Sequence, residues 1–182
     1  FDNPKDKDKN NTYIVSVQAT DLAQNTSDQT ITISVNKKFN NELSWTQIGS
    51  DIDGEDAGDG SGLSVSLSAD GSVVAIGSPY NDGNGNWSGH IRIYENVNNN
   101  WIQIGSEIYG EAVGDKSGYS VSLSADGSVV AIGAFDNDGN GENSGHVRIF
   151  RNVNENWTQI GSDIDGEAAG DRSGEVNLSA DG

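Results

Sequence analysis

Oxygen-bearing side chains recur at alternate positions through Asp136-Asn137-Asp138-Gly139-Asn140-Gly141-Glu142, with glycines between that let the chain curl. Asp136, Asp138, Asn140 and Glu142 are donors of the kind Ca²⁺ takes, a hard cation that gathers oxygens. The counterpart loop begins at Tyr80 and keeps Asp82, Asn84 and Asn86, so a first ligand is missing there. The same composition also suits an exposed Gly/Asn hairpin loop, whose polar side chains serve its own turns. A second acidic loop occurs three times, at Asp51, Asp53, Glu55 and Asp59, at Glu107, Glu111 and Asp115, and at Asp163, Asp165, Glu167 and Asp171. A catalytic carboxylate is normally needed once, whereas a brace is needed in every copy, so Glu55, Glu111 and Glu167 and Asp59, Asp115 and Asp171 are expected to brace their loops. His90 and His146 stand at one recurring position, each before a strand, and are expected to be satisfied strand-start histidines rather than a joint metal or general-base pair. Arg92 and Arg148 are expected to pair with the acidic loops. Trp87 breaks the pattern, since Asn143 replaces it in the second copy, and an aromatic there suits stacking on a sugar or a partner.

Composition closes other routes. The chain of 182 residues has 28 Asp plus Glu against 10 Lys plus Arg, and 28 − 10 gives its net charge of −18. Such a surface repels phosphate backbones and attracts cations, so nucleic acid is not an expected partner. With Cys 0, disulfides, thiolate metal sites and cysteine nucleophiles are excluded. No Gly-x-Ser-x-Gly elbow, phosphate loop or His-Glu-x-x-His is present. The chain is therefore expected not to be an enzyme. No apolar run approaches the ~20 residues of a membrane helix. A chain with Met 0 that begins at Phe1 is expected to be a processed, excised or partial piece of a longer protein.

The elements that must position these loops are set by a repeat. Trp45, Trp101 and Trp157 each open Trp-x-Gln-Ile-Gly-Ser, at spacings of 101 − 45 = 56 and 157 − 101 = 56. Copies 45–100 and 101–156 agree at about 40 of 56 positions, and 157–182 begins a third. The third copy is one residue shorter at Ser173-Gly174-Glu175-Val176-Asn177-Leu178. Each copy carries four strand signals, which in the first are Trp45–Ser50, Ser64–Ser68, Val73–Gly77 and His90–Tyr94. Asp70-Gly71 is a tight-turn signal between the second and third. The third, apolar without alternation, reads as a strand covered on both faces. A four-stranded unit of this kind buries its faces only by stacking, and radial stacking gives a β-propeller of four to eight blades. The fold expected for residues 45–182 is thus all-β, a partial propeller of four-stranded blades, with a linear solenoid as the alternative.

Two resemblances extend this. Ser61-Gly62-Leu63-Ser64-Val65-Ser66-Leu67-Ser68-Ala69-Asp70-Gly71-Ser72-Val73-Val74-Ala75-Ile76-Gly77-Ser78-Pro79, repeated from Ser117 to Phe135, resembles the FG-GAP repeat of integrin-α-like β-propellers. Those repeats carry an Asp-rich calcium loop in the hairpin, where this chain has a short Ser-Ala-Asp-Gly turn, so that site is not carried over to Asp70 or Asp126. Residues 1–37, with Phe1-Asp2-Asn3-Pro4, Tyr13 to Asp21 and Gln29 to Val35, resemble the C-terminal part of a bacterial cadherin-like β-sandwich. That resemblance implies Asp2 and Asp21 as calcium ligands. Residues 38–44 then serve as a linker into the repeats.

These readings lead to a non-enzymatic adhesive or structural module of a large secreted or cell-surface bacterial repeat protein, stabilised by calcium. Its partners are other domains of the same chain and a cell-surface protein or glycan. The alternatives are a carbohydrate-binding or glycan-degrading propeller, with Trp87 as the contact, and a passenger held by a secretion machine.

Overall fold

A computed structural model describes two strands in the N-terminal region and residues 45–182. The chain divides into two compact units, 1–46 and 47–182. In the first, β1 (Thr12–Thr20) and β2 (Thr26–Ser34) pair antiparallel, with Thr12 opposite Ser34 and Thr20 opposite Thr26. Both strand signals of this region thus become one hairpin. Asp2 and Asp21 lie outside the described residues.

The second unit holds two antiparallel sheets, and its described residues contain no helix. One sheet runs in order through β3 (Ser64–Leu67), β4 (Val73–Ser78), β5 (His90–Val97) and β6 (Asn100–Gln103), with β7 (Ile108–Tyr109) also on β5. β6 and β7 occupy the same edge of β5 and form two pieces of one interrupted fourth strand, joined by the bond from Ile104 N to Ile93 O at 2.8 Å. The other sheet repeats this with β8 (Ser120–Leu123), β9 (Val129–Ala134), β10 (His146–Val153), β11 (Asn156–Gln159) and β12 (Ile164–Asp165).

The sequence units and the sheets are out of phase. Trp101 lies opposite Asn96 and Trp157 opposite Asn152, so each Trp strand closes the sheet of the copy before it. Trp45–Ser50, expected as a strand, is not one. A Trp strand forms only on the end strand of a preceding copy, and the described residues offer Trp45 none. Trp45 is 93% exposed, whereas the indole N–H of Trp101 donates to Ile48 O at 3.0 Å and that of Trp157 to Ile104 O at 2.9 Å.

The apolar run at β4 is buried throughout, as its lack of alternation requires. Val73 and Ala75 join Ile91 and Ile93 in a core shared with Val121, Leu123, Val130, Ile132 and Phe150 of the second sheet. Val74, Ile76 and Tyr94 form a smaller cluster with Ile52 and Trp101. The sheets therefore stack face to face. Val121 and Leu123 are each 7% exposed, while their counterparts Val65 and Leu67 are 53% and 55% exposed. Burial of each such side chain contributes about 1.5–3 kcal/mol.

Backbone groups stitch the copies as well. The hydroxyls of Ser64 and Ser66 accept from Val121 N and Leu123 N, both at 2.9 Å, and Ser120 and Ser122 accept from Val176 N and Leu178 N at 3.1 and 3.0 Å. Val176 and Leu178 thus take the places of Val121 and Leu123, and the missing residue of the third copy is absorbed before them, around Gly174. Gly77 meets Gly118 backbone to backbone, so closely that a Cβ on Gly77 would overlap the Gly118 carbonyl oxygen, and Gly133 meets Gly174 in the same way.

Candidate functional site

The loop 136–142 holds itself and the next copy with the side chains that suggested calcium. Asp138 Oδ1 accepts from Asn143 N at 2.7 Å, and the Asn140 amide donates to Gly166 O and Glu167 O at 2.8 and 3.0 Å. The first copy repeats this, with Asp82 Oδ1 accepting from Trp87 N at 2.8 Å and Asn84 donating to Gly110 O at 2.8 Å and Glu111 O at 3.3 Å. Asp136 stands apart. Its Oδ2 receives Lys116 Nζ at 2.6 Å, and Arg172 Nε lies 3.7 Å from its Oδ1. Glu142 is exposed. Among the described residues, Asp136, Asp138 and Glu142 do not converge as a group of three acidic ligand atoms.

Trp87 is 50% exposed and held at φ 53, with Tyr80 edge-on at 6.0 Å and the Lys116 ammonium 5.6 Å from the ring centroid. One side of the indole is thus engaged by the following copy.

The recurring acids divide into two roles. Asp115 Oδ2 accepts from Glu111 N and Ala112 N, Asp171 Oδ2 accepts from Ala168 N, and Asp59 Oδ2 accepts from the Asn81 amide, so these aspartates do brace their surroundings. Glu55 and Glu111 instead face the histidines. His90 opens β5 and lies opposite Tyr109, and the chain just before Tyr109 brings Glu107 alongside. One ligand atom each from Glu55, His90 and Glu107 falls within 4.8 Å of the others, and the same holds for Glu111, His146 and Asp163.

The histidines are buried but not satisfied, which corrects the sequence expectation. His90 is 0% exposed, and neither ring nitrogen has a hydrogen-bond partner among the described residues. Its Nδ1 lies 3.7 Å from Glu55 Oε2. His146 is 1% exposed, its Nε2 is likewise unpartnered, and Nδ1 stands 3.9 Å from both Glu111 Oε2 and Asp163 Oδ2. These separations exceed the roughly 2.7–3.2 Å of a hydrogen bond to nitrogen. A β-strand start was legible in the sequence, but the polar partner it needs was not placed by the fold.

Burial holds both imidazoles below their usual range, with Arg148 adding to the effect at His146, so they are neutral and keep a lone pair. Partial burial, and then the facing Glu107 carboxylate, push Glu55 up. Glu107 is drawn down, first by the bond it accepts from the Tyr109 hydroxyl, which in turn raises Tyr109 to about 12. Arg92 donates to Asp53 O at 2.7 Å, and Arg148 donates to Tyr109 O at 2.6 Å with its Nη1 3.6 Å from Glu111 Oε1. The expected arginine pairing with the acidic loops is thus partly to their carbonyls. An open cleft of about 580 Å³ runs beside the first cluster, lined by Glu55, Asp59, Asn81, Asp82 and Tyr109.

Sequence reading missed the clusters because it took each acid only with its own loop. A signal was present: Glu lies 35 residues before each histidine (90 − 55 and 146 − 111) and an acid 17 after (107 − 90 and 163 − 146). No protein-family model matches the chain, and no curated protein matches it.

Proposed function

We propose that residues 45–182 are part of a β-propeller and that the chain serves as a non-enzymatic adhesive or structural module of a large secreted or cell-surface repeat protein. The observation that carries this reading is the way the sheets meet. Their backbones approach most closely at the first strands, where β8 lies against β3 and β4, whereas the outer strands meet through a side chain, the Trp157 indole that reaches Ile104 O. Sheets whose backbones lie closer at the first strands than at the outer ones suit a radial arrangement. The repeated serine-to-backbone bonds fit a part selected for regular stacking. The acidic loops and the charge of −18 favour a calcium-rich medium, with calcium as stabiliser and the N-terminal hairpin as the end of a cadherin-like domain.

Thermal unfolding tests the calcium part. Calcium at saturating concentration is expected to raise the Tm over that in EDTA, and equal melts would remove calcium from the account. The half-exposed Trp87 favours carbohydrate binding as the second reading. A glycan array separates the two: glycan binding abolished by Trp87→Ala supports the carbohydrate reading, and binding only to cell-surface proteins supports the first.

A further inference from the structure

The two histidine clusters do something that neither loop bracing nor blade stacking requires. Each places a buried neutral imidazole against two carboxylates from separate loops, at the same 35- and 17-residue spacings. We propose that Glu55, His90 and Glu107, and again Glu111, His146 and Asp163, are two equivalent sites for a divalent first-row transition ion of the zinc type.

Donor chemistry selects the ion. Calcium gathers six to eight oxygens, and an imidazole nitrogen is a poor exchange for one of them. One nitrogen and two carboxylate oxygens suit zinc and its neighbours, with a fourth position left to water. Ligand atoms about 2.0–2.2 Å from a tetrahedral ion stand roughly 3.4 Å apart. The observed nitrogen-to-oxygen separations of 3.7 and 3.9 Å are close to that edge and too long for hydrogen bonds. A small inward movement of the partly exposed carboxylates completes the contact.

The surroundings agree. The third ligand of each cluster is oriented by an outer donor, the Tyr109 hydroxyl on Glu107 and the Gln159 amide on Asp163 Oδ1 at 2.6 Å. Charge also fits, since each cluster sets two carboxyl groups beside a single guanidinium, Arg92 at the first and Arg148 at the second. The cleft beside Glu55 and Tyr109 gives an entry path to the first site. Each site also ties one copy to the next: Glu55 and Glu107 belong to successive 56-residue copies, as do Glu111 and Asp163. This holds whether or not the repeats close into a ring.

The chain has only two histidines, which makes the test direct. The full 182-residue chain, stripped with a chelator, is titrated with zinc chloride by calorimetry while ¹⁵N spectra follow both imidazoles. Two equivalents are expected to bind, with both imidazoles shifting and saturating together. Glu55→Gln, which leaves both buried histidines in place, is expected to weaken the His90 site at least ~10–100-fold, the range known for loss of a supporting group, while the His146 signal still responds. Glu111→Gln should give the mirror result, and backbone amide spectra of both variants verify the fold. Zinc uptake with unmoved imidazoles, uptake unchanged in both variants, no uptake, or displacement of zinc by an equal concentration of calcium would overturn the proposal.

Discussion

Asp70 shows how one side chain sets a turn. Its Oδ1 accepts from Ser72 N, Ser72 Oγ and Ser68 Oγ at 2.9, 2.7 and 2.8 Å, and Ser68 Oγ in turn accepts from Val73 N. These bonds, led by the one from Ser72 N, lower the Asp70 carboxyl from 3.8 to about 2. Because the folded value lies below the unfolded one, the contribution is complete above pH ~4 and is lost as pH falls through about 2. Asp126 repeats the same bonds, and its carboxyl is lowered for the same reason. Acid denaturation curves are therefore expected to flatten between pH ~4 and 2 in Asp70→Asn/Asp126→Asn, and an unchanged slope would refute the assignment. The Asp-Gly turn was legible because Asp and Gly are needed locally. The histidine environment was not, because its carboxylates come from residues 35 before and 17 after.

At the scale of elements, alternation and turn chemistry located β3, β4 and β5 closely, since each strand carries its own signal. Trp45 and Trp101 are the instructive pair. The same Trp-x-Gln-Ile-Gly-Ser motif forms a strand at 101 and none at 45, because the hydrogen bonds of this strand come from the preceding copy. Local pattern specifies the capacity to pair, and the neighbour decides whether it is used. Two substitutions test the contacts between elements. Gly77→Ala places a methyl against the Gly118 carbonyl, and chemical denaturation should show a loss of about 1–3 kcal/mol from the forced separation. Ser66→Ala removes the acceptor of Leu123 N and should cost about 1–3 kcal/mol if that N–H is left unsatisfied. Wild-type stability in either variant would mean the copies do not meet as described.

For the whole molecule, the 56-residue period makes the stacking of like sheets readable in the sequence, because a four-stranded unit with an apolar central strand needs covering on both faces. The period is silent on the direction of stacking, which depends on where neighbouring sheets touch and where they part. The absence of cysteine allows spin labels at chosen exposed pairs of equivalent residues. Leu63 and Tyr119 flank the first strands, and Asn100 and Asn156 begin the outer ones. The most direct measurement is electron–electron distance spectroscopy on chains labelled at Leu63→Cys/Tyr119→Cys and, separately, at Asn100→Cys/Asn156→Cys. A radial stack predicts a clearly longer distance for the outer pair than for the inner pair. Equal distances would mean that the sheets run parallel in a linear array and would contradict the propeller.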